Sequence, residues 1–277
     1  MLPNSALITG CSSGIGRATA LALVAAGIPT YATARHPESI ADLAESGCHI
    51  LQLDVTDPDS CARAVRSVEQ AHGSVGVLVN NAGYSQVGPV EEVPMDELYR
   101  QFDTNVFGVV RLTRLVLPAM RANGGGRIIT LGSAAGLVAP PASAAYSMTK
   151  YALEALCDSL RLEVHHFGVR AVLIEPGAVR TQFIETGQRS LPPSNSDHTY
   201  DHLRSSLGAL IERTHRDGAR GILTPETVAR VVTRAALARN PKPRYKIGSQ
   251  ARVMPIARRL LGDRLWDLAM RRLVPAE

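Results

Sequence analysis

Six short apolar segments alternate with helical segments along most of this chain. The apolar segments cover residues 5–10, 28–34, 49–55, 75–83, 126–133 and 169–177. Near-continuous apolar strands between helices are typical of a parallel sheet that is covered by helices on both faces. A chain of 277 residues is long enough to form one such domain with a full core. We therefore predict one doubly wound, three-layer α/β domain over residues 1–277, with about seven strands in the order 3-2-1-4-5-6 and a seventh near residues 244–248.

A glycine-rich turn joins the first apolar segment to the first helical segment. Gly10, Gly14 and Gly16 lie in this turn, and the helical stretch that follows ends at Gly27. Glycine lets a backbone approach a pyrophosphate closely, and the N-terminus of the next helix offers free N–H groups and a positive dipole. The strand, turn and helix together indicate a dinucleotide site. A tight turn that only packs closely is the alternative.

Ser133, Tyr146 and Lys150 have the spacing of a catalytic group. A helix that begins near Tyr146 would place the Lys150 ammonium beside the Tyr146 phenol, because residues four apart share a helix face. A nearby positive charge favours the phenolate and lowers the pKa of a tyrosine from its usual value of about 10. Such a phenol can act as a general acid or base. Ser133 can add a hydroxyl beside the same oxygen of a substrate.

Polar residues stand at the ends of the second, third and fourth apolar segments or directly after them, at the sheet edge where open α/β folds bind ligands. Arg35 stands where an NAD site usually has an acid, and an arginine there suits the 2′-phosphate of NADP. A solvated loop charge is the alternative for Arg35. Asp54 is placed either to accept a hydrogen bond from an adenine amino group or to act as a turn or N-cap residue. Asn80, Asn81 and Gly83 form a polar turn at the end of the fourth segment.

Several motifs, taken in order, resemble those of the short-chain dehydrogenase/reductase family. They are TGCSSGIG (residues 9–16), NNAG (80–83), YSMTK (146–150) and PGAVRT (176–181), with Ser133 at the usual offset before the tyrosine and Asn105 at the place of the family's fourth catalytic residue. The resemblance covers nearly all of residues 5–250 and implies a Rossmann-type fold. YATARHPE (31–38) and the C-terminal segment resemble members that act on steroids, retinoids and similar lipophilic alcohols and ketones.

The resemblance implies an NADP(H) cofactor over the carboxyl ends of the strands. In the family the glycine-rich turn meets the pyrophosphate, and Asn80 lies near the adenosine ribose. Lys150 contacts the nicotinamide ribose, and Val179 and Thr181 hold the carboxamide. The implied cofactor residues are Gly10, Ser12, Ser13, Gly14, Ile15, Gly16, Arg35, Asp54, Val55, Asn80, Tyr146, Lys150, Val179 and Thr181.

The resemblance also implies the chemistry. In the reduction direction Ser133 and Tyr146 bind the carbonyl oxygen of the substrate, and Tyr146 protonates the developing alkoxide. Lys150 lowers the pKa of Tyr146, and Asn105 holds a water that passes protons to Lys150. From the sequence alone, a mid-helix asparagine is more often a packed or exposed polar residue. The implied activity is an NADP-dependent interconversion of a secondary alcohol and a ketone on a bulky, lipophilic substrate.

Two C-terminal segments carry weaker signals. Residues of about 182–223 form a long polar stretch, which in the family is the substrate lid. His198 and His202 lie in it, but no third ligand is evident, so we expect no metal. The segment of about 250–274 has apolar residues at 253, 256, 260, 261, 265 and 268 and several arginines, with interruptions expected at Pro255 and Gly262. Packing beside the lid is the favoured interpretation, with a subunit contact or membrane-surface attachment as alternatives.

Composition limits the cell compartment and the partners. The net charge of +5 fits an anionic cofactor, and we expect no nucleic-acid partner. The chain has no run of 18 apolar residues, and its four cysteines lack metal-site spacing. We expect a cytoplasmic protein with a small-molecule ketone or alcohol substrate. The family usually associates through its helix at 95–122 and the helix that starts at Tyr146, which implies a homodimer or homotetramer.

A catalytically silent, nucleotide-sensing binding protein is the alternative function, because a fold does not fix an activity. Relatives of that kind typically lose the tyrosine or the lysine of the active-site pair. Tyr146 and Lys150 are both present here, which favours the enzyme.

Overall fold

The computed structural model describes residues 3–193, 198–215 and 221–274. Seven strands form one parallel sheet in the order β3-β2-β1-β4-β5-β6-β7. This arrangement confirms the predicted doubly wound, Rossmann-type sheet and its seventh strand. The strands are β1 (Ala6–Ile8), β2 (Thr30–Ala34), β3 (His49–Gln52), β4 (Val77–Asn80), β5 (Gly126–Leu131), β6 (Val169–Pro176) and β7 (Arg244–Ile247).

Helices cover both faces of this sheet. They are α1 (Gly14–Ala25), α2 (Pro58–His72), α3 (Met95–Phe102), α4 (Gly108–Ala122), α5 (Ala144–Val164), α6 (Gln182–Arg189), α7 (Asp201–His215), α8 (Pro225–Leu237) and α9 (Gly248–Leu273). Helices α1 and α8 share one core cluster with the sheet, and α2, α4 and α5 share the other. In β1, Ala6 and Ile8 face the first cluster and Leu7 faces the second, because successive side chains of a strand point to opposite faces.

Local capping explains where two of the helices begin. Helix α8 has Thr224 as its N-cap, whose hydroxyl accepts from the Thr227 N–H, and Pro225 in its first turn. Helix α2 is capped by Asp57, which accepts from the Asp59 N–H. These caps use polar side chains to satisfy backbone donors that the helix itself leaves unpaired.

Two predicted helices differ in form. The helix expected over residues 95–122 consists of α3 and α4 joined by a π-helical turn at Asp103–Phe107. This turn contains Asn105, whose side chain bonds to neighbouring segments, and an inserted residue of this kind is common at functional positions. The helical segment between the second and third apolar segments is a 3₁₀ helix, Pro37–Leu43, because the segment is short and turns again at Gly47, where φ is +92°.

The C-terminal segment borders the same cleft as part of the lid segment, but through a different side than its apolar stripe indicates. Its predicted apolar stripe of residues 253, 256, 260, 261, 265 and 268 is exposed to solvent. The side of α9 that is buried or lines the cleft described below instead carries Ala251, Met254, Trp266 and Met270. Gly262 interrupts the helix with a φ of +66°, as predicted, whereas Pro255 lies within it without a break. Across the described ranges, we find no helix both long and apolar enough to cross a membrane.

Candidate active site

A cleft of about 1100 Å³ lies along the carboxyl edge of the sheet. It includes the point between β1 and β4 where the strand order reverses, which is where sheets of this kind bind ligands. Helices α6 and α9 add the outer wall. Of the residues predicted for the site, those that line the cleft are Gly10, Ser12, Ser13, Gly14, Ile15, Arg35, Asp54, Val55, Ser133, Tyr146, Lys150, Val179 and Thr181.

The glycine-rich turn depends on close backbone packing. A Cβ on Gly16 would lie 2.3 Å from the Gly10 carbonyl oxygen and 2.4 Å from Asn81 Nδ2. Asn81 Nδ2 donates to the carbonyl oxygens of Thr9 and Gly10, at 2.8 and 3.0 Å, and ties the turn to the end of β4. Gly16 therefore fits the packing interpretation, while Gly10 and Gly14 also border the cleft.

The N-terminus of α1 faces this cleft without a side-chain cap. Ser13 occupies the N-cap position but makes no capping hydrogen bond, and no acidic residue lies in the first turn of α1. Helices α2 and α8 differ, because Asp57 and Thr224 cap them. Uncapped N–H groups and the positive end of the helix dipole favour an anionic group at this end of the cleft.

Arg35 and Asp54 lie at the ends of β2 and β3, where the cleft continues. Arg35 is exposed, directly after the last residue of β2. Asp54 Oδ1 accepts from the backbone N–H of Thr56 at 2.9 Å and from its hydroxyl at 2.7 Å. The turn interpretation thus accounts for one oxygen of Asp54, although the residue also borders the cleft.

The two asparagines at the end of β4 are placed differently, and the predicted contact of Asn80 with the adenosine ribose stays a prediction. The Asn80 side chain is buried, it does not line the cleft, and its amide has no hydrogen-bond partner in the described part of the chain. Asn81, Ala82 and Gly83 line the cleft instead. The alternation of side chains along a strand is the physical reason, since adjacent residues there face opposite ways.

Tyr146, Lys150 and Ser133 all border the cleft, and a side-chain hydrogen bond joins Tyr146 to Ser133. Tyr146 and Lys150 lie one turn apart on α5, as their spacing predicts, and Lys150 Nζ is 5.5 Å from the centre of the Tyr146 ring. Lys150 Nζ donates to the Leu131 carbonyl oxygen at 2.7 Å. Ser133 follows β5, and its Oγ accepts from the Ala135 N–H at 3.1 Å.

Burial controls the ionisation of this pair. It raises the pKa of Tyr146 to about 12, against a smaller lowering by the hydrogen bond to Ser133. It lowers the pKa of Lys150 to about 8. The prediction that Lys150 lowers the pKa of Tyr146 is therefore wrong for the protein alone. The ammonium interacts with a backbone carbonyl, and desolvation disfavours the charged form of both groups.

Asn105 is buried behind the cleft wall and does not line the cleft. Its Oδ1 accepts from the Tyr84 N–H at 3.1 Å, and its Nδ2 donates to the Tyr84 carbonyl oxygen at 2.9 Å and to Thr149 Oγ1 at 3.3 Å. These bonds tie the turn after β4 to α5, one residue before Lys150. The geometry gives the Asn105 side chain a positioning role, and its predicted proton-relay role stays a prediction.

The outer wall of the cleft is more apolar than its inner edge. The Phe183 ring packs edge-on against the Tyr146 ring, with 5.5 Å between their centres. Thr181 caps α6 by accepting from the Phe183 N–H at 3.3 Å. The wall residues that the sequence interpretation missed are Val138, Pro140, Phe183, Met254, Trp266, Met270 and Val274. The four-residue spacing of Trp266 and Met270 was the available signal for the α9 wall.

A polar rim that the sequence interpretation also missed lies at the α3 side. Its residues are Tyr84, Glu97, Arg100, Asp103 and Thr104. Arg100 pairs with Asp96 and Glu97, and Arg111 pairs with Asp103. Within residues 3–193, 198–215 and 221–274 we find no cluster of metal ligands, and His198 Nδ1 lies 2.6 Å from Asp201 Oδ2.

Comparison with known proteins identifies the family. The model of the short chain dehydrogenase family matches residues 4–190, which is more than half of the chain. The chain therefore belongs to this family of oxidoreductases, as the motifs predict.

Three curated relatives align over nearly the whole chain. One is 3-ketodihydrosphingosine reductase of Bacteroides thetaiotaomicron, 34% identical with 98% of each chain covered. Another is NADPH-dependent 3-dehydrocapnine reductase of Ornithobacterium rhinotracheale, 33% identical over 95% of this chain and 94% of that protein. The third is human 17-beta-hydroxysteroid dehydrogenase type 1, 36% identical over 93% of this chain and 80% of that protein.

Solved structures share the fold. A short-chain dehydrogenase from Streptomyces avermitilis matches with a TM-score of 0.79 and 34% identity, covering 98% of this chain and 95% of that one. The closed form of a serine dehydrogenase complexed with NADP⁺ matches with a TM-score of 0.76 and 27% identity, covering 88% of this chain and 94% of that one. A short chain dehydrogenase/reductase from Burkholderia phymatum in complex with NAD matches with a TM-score of 0.79 and 25% identity, covering 94% of each chain.

Proposed function

We propose that this protein is an NADP(H)-dependent oxidoreductase that interconverts a secondary alcohol and a ketone on a bulky, lipophilic substrate. One observation carries the proposal. Tyr146 and Ser133 border the same cleft as the uncapped N-terminus of α1 and the glycine-rich turn. The cleft thus combines a place for a dinucleotide with a hydroxyl pair that can bind a carbonyl oxygen.

The residues present fit a dinucleotide. Ser12, Ser13 and Gly14 border the cleft at the end of α1 that lacks a side-chain cap, and this end suits a pyrophosphate. Asp54 and Val55 would flank an adenine, while Val179 and Thr181 would meet a carboxamide. When bound, the nicotinamide group supplies the hydride.

Arg35 supports NADP(H) over NAD(H), because its exposed guanidinium borders the cleft where no acid is present. The reductase from Ornithobacterium rhinotracheale is NADPH-dependent by name, which agrees with this choice. In Arg35→Asp, we expect NADPH to bind about tenfold to a hundredfold more weakly, since a charge-assisted contact is worth roughly 1.5–3 kcal/mol. NADH binding should stay level or improve.

The matched control is Arg66→Asp, which changes an exposed arginine on α2 away from the cleft. Isothermal titration of all three proteins with NADPH and NADH measures both effects. An unchanged NADPH affinity in Arg35→Asp removes Arg35 from the proposal.

The protein's own groups suit the reduction direction. Because its pKa is raised to about 12, the Tyr146 phenol is protonated at neutral pH and can donate its proton to a substrate oxygen. The Ser133 hydroxyl can donate a second hydrogen bond to that oxygen and stabilise the negative charge that develops there. Lys150 lies behind the phenol, where its pKa of about 8 keeps it mostly charged at neutral pH.

The outer wall supports a lipophilic substrate. Phe183, Met254 and Trp266 border the cleft, and the Phe183 ring contacts the Tyr146 ring. Two relatives are named for reductions of 3-dehydrocapnine and 3-ketodihydrosphingosine, and a third for a hydroxysteroid. We infer a ketone whose carbonyl oxygen reaches Tyr146 while an apolar body lies against α6 and α9.

The lid and domain boundaries form part of the proposal. We infer one domain over residues 1–277, a lid of about 182–223 and an extension of about 250–274. Residues 194–197 and 216–220 of the lid lie outside the described residues. Arg204 of α7 pairs with the buried Glu92 carboxylate, and Gln86 Nε2 donates to the Ser190 carbonyl oxygen at 2.5 Å. These bonds hold the lid segment against the body.

Subunit association is supported by exposed apolar side chains on the two helical segments that the family uses. Met95, Tyr99 and Phe107 are exposed on the α3–α4 segment, and Tyr151 and Leu162 are exposed on α5. We infer a homodimer or homotetramer through these helices. Sedimentation equilibrium on the wild type and on Leu162→Glu tests it, and a wild-type monomer at all concentrations contradicts it.

NADPH oxidation with ketones of increasing apolar length tests the activity. In Tyr146→Phe, we expect cofactor binding to persist and turnover to fall by at least about a hundredfold, because the proton donor is lost. Tyr151→Phe makes the same change five residues further along α5, outside the cleft, and should turn over normally.

Two results would contradict the proposal. One is ketone reduction by Tyr146→Phe at the parent rate. The other is cofactor binding by the wild type with no turnover of any ketone or alcohol, which would favour the nucleotide-sensing alternative.

A further inference from the structure

The outer side of α9 is an exposed apolar surface on a helix whose inner side borders the cleft. Leu260 is 80% exposed, Ile256 60% and Val253 59%, and these three share one face at spacings of three and four residues. Beyond the break at Gly262, Leu265 and Leu268 continue with exposures of 56% and 46%. Single exposed leucines are ordinary, but a helix that exposes a run of them marks an interaction surface.

The same helix carries most of the chain's net charge. Residues 248–273 contain six arginines and two aspartates, a net charge of +4, against +5 for the whole chain. Arg258 donates to the Tyr151 hydroxyl and Arg252 to the Lys246 carbonyl oxygen, which are neutral partners. Arg259 and Arg264 are exposed. In the described ranges no ion pair neutralises any of these six arginines.

We propose that α9 docks this protein on the surface of a membrane that contains anionic lipids. The exposed leucines would enter the boundary between headgroups and acyl chains, and the arginines would contact lipid phosphates. Charge favours this occupant over a second copy of the chain. Two α9 helices packed against each other would bring together two segments of net charge +4, whereas an anionic membrane is complementary to one.

The placement of α9 also gives the substrate a route. Met254, Trp266 and Met270 of this helix border the cleft, so docking through its other side would leave only the width of α9 between the cleft and the membrane. A ketone with a lipid chain could then reach Tyr146 from the bilayer without crossing water. This route rests on the proposed function, whereas the docking itself does not.

Vesicle flotation of the full-length protein tests the docking. The probes are vesicles of phosphatidylcholine alone and of an equimolar mixture of phosphatidylcholine and phosphatidylglycerol. We expect flotation with the mixture only, and its loss at high salt, because screening weakens attraction between exposed charges. Tyr146→Phe should float like the wild type, which separates docking from catalysis.

Two variants of α9 and two matched controls sharpen the test. Leu260→Ser with Leu265→Ser removes apolar contact on both sides of Gly262, and Val90→Ser is its control, because Val90 is 74% exposed in a loop elsewhere. Arg259→Gln with Arg264→Gln removes charge, and its control is Arg66→Gln on α2. We expect each α9 variant to lower the vesicle-bound fraction by at least about tenfold. For the arginine variant, the loss of each arginine should weaken binding roughly fivefold.

The changed side chains are exposed, so the variants should fold and keep wild-type circular dichroism. The proposal is overturned if the wild type does not float with anionic vesicles, or if the α9 variants float as well as their controls. A third result would also overturn it: the wild type does not float, and the double variant Leu260→Ser with Leu265→Ser dissociates an oligomer in sedimentation equilibrium. In that case a second copy of the chain covers α9.

Discussion

The inner edge of the cleft and its outer wall are built in different ways. The inner edge consists of turns after β1, β2 and β3, in which backbone segments approach so closely that Gly16 has no room for a Cβ. The outer wall is made by side chains of α6 and α9, such as Phe183 and Trp266, which come from distant parts of the sequence. Close contacts between backbone segments therefore define the inner edge. Packing of apolar side chains that are far apart in the sequence defines the outer wall.

The largest effect should follow from breaking the inner edge. In Gly16→Ala the new methyl group would collide with the Gly10 carbonyl oxygen and with Asn81, which themselves hold the turn. We expect a loss of about 3 kcal/mol in the free energy of unfolding, because backbone must shift to make room. Dinucleotide binding should fall with it.

Gly208→Ala on α7 is the control, because a Cβ there meets nothing within 4 Å. It should be neutral or should stabilise α7 by up to about 1 kcal/mol. Urea unfolding of both variants gives the comparison. Equal stabilities for Gly16→Ala and the wild type would mean that the turn tolerates a side chain.

A smaller, more selective effect is expected from the outer wall. Trp266 is 8% exposed and borders the cleft. In Trp266→Ala we expect KM for a long-chain ketone to rise roughly tenfold to thirtyfold with kcat less affected, because apolar contact with the bound substrate is lost. NADPH affinity should stay unchanged.

Leu268→Ala truncates the opposite side of the same helix and should leave KM unchanged in detergent-free assays with a soluble ketone. Steady-state kinetics and isothermal titration together separate the two regions. A Trp266→Ala variant that loses NADPH affinity but keeps its KM for ketone would contradict this division of the cleft.

The smallest effect concerns the boundary between the regions, at the end of β6. Glu175 is fully buried there, and Arg244 Nε lies 3.6 Å from Glu175 Oε1. The same guanidinium group also forms ion pairs with Glu154 and Asp158. Burial, followed by the neighbouring Glu154, raises the pKa of Glu175. The folded protein therefore holds this proton more tightly than the unfolded chain does.

For a carboxyl group with a raised pKa, the stabilising contribution is complete below its ordinary unfolded value and is lost as the pH rises through the folded value. Glu175→Gln imitates the protonated form, so its stability should exceed that of the wild type by about 1 kcal/mol at alkaline pH. The difference should vanish in acid. Urea unfolding across pH measures this difference in stability, with Glu45→Gln at an exposed position as the control. The prediction is contradicted if the wild type becomes more stable relative to Glu175→Gln as the pH rises from neutral to alkaline.

Much of the inner region was predictable from the sequence. The strand order, the seventh strand and the shared face of Tyr146 and Lys150 follow from apolar pattern and helical spacing. The sequence did not show which of the two asparagines after β4 lines the cleft, because a motif names residues without stating which face of the strand end each one takes. Asn81 faces the cleft, and Asn80 faces the interior.

The outer region was not predictable in the same way. The apolar stripe of α9 looked like the packed side, yet Trp266 and Met270 on the other side border the cleft. Periodicity shows that a helix has an apolar side, but it does not say which side meets the body when both are apolar. The pKa of Tyr146 was misjudged for a related reason, since burial is a property of the whole fold and spacing reports only the nearest charge.

Deuterium transfer measures most directly whether both regions serve one reaction. NADPH deuterated at the transferable position is incubated with a long-chain ketone and the wild type, Tyr146→Phe or Tyr151→Phe, at saturating cofactor. The account predicts an alcohol labelled at the carbinol carbon from the wild type and Tyr151→Phe, and almost none from Tyr146→Phe. Unlabelled alcohol from the wild type, or labelled alcohol from Tyr146→Phe at the wild-type rate, would contradict it.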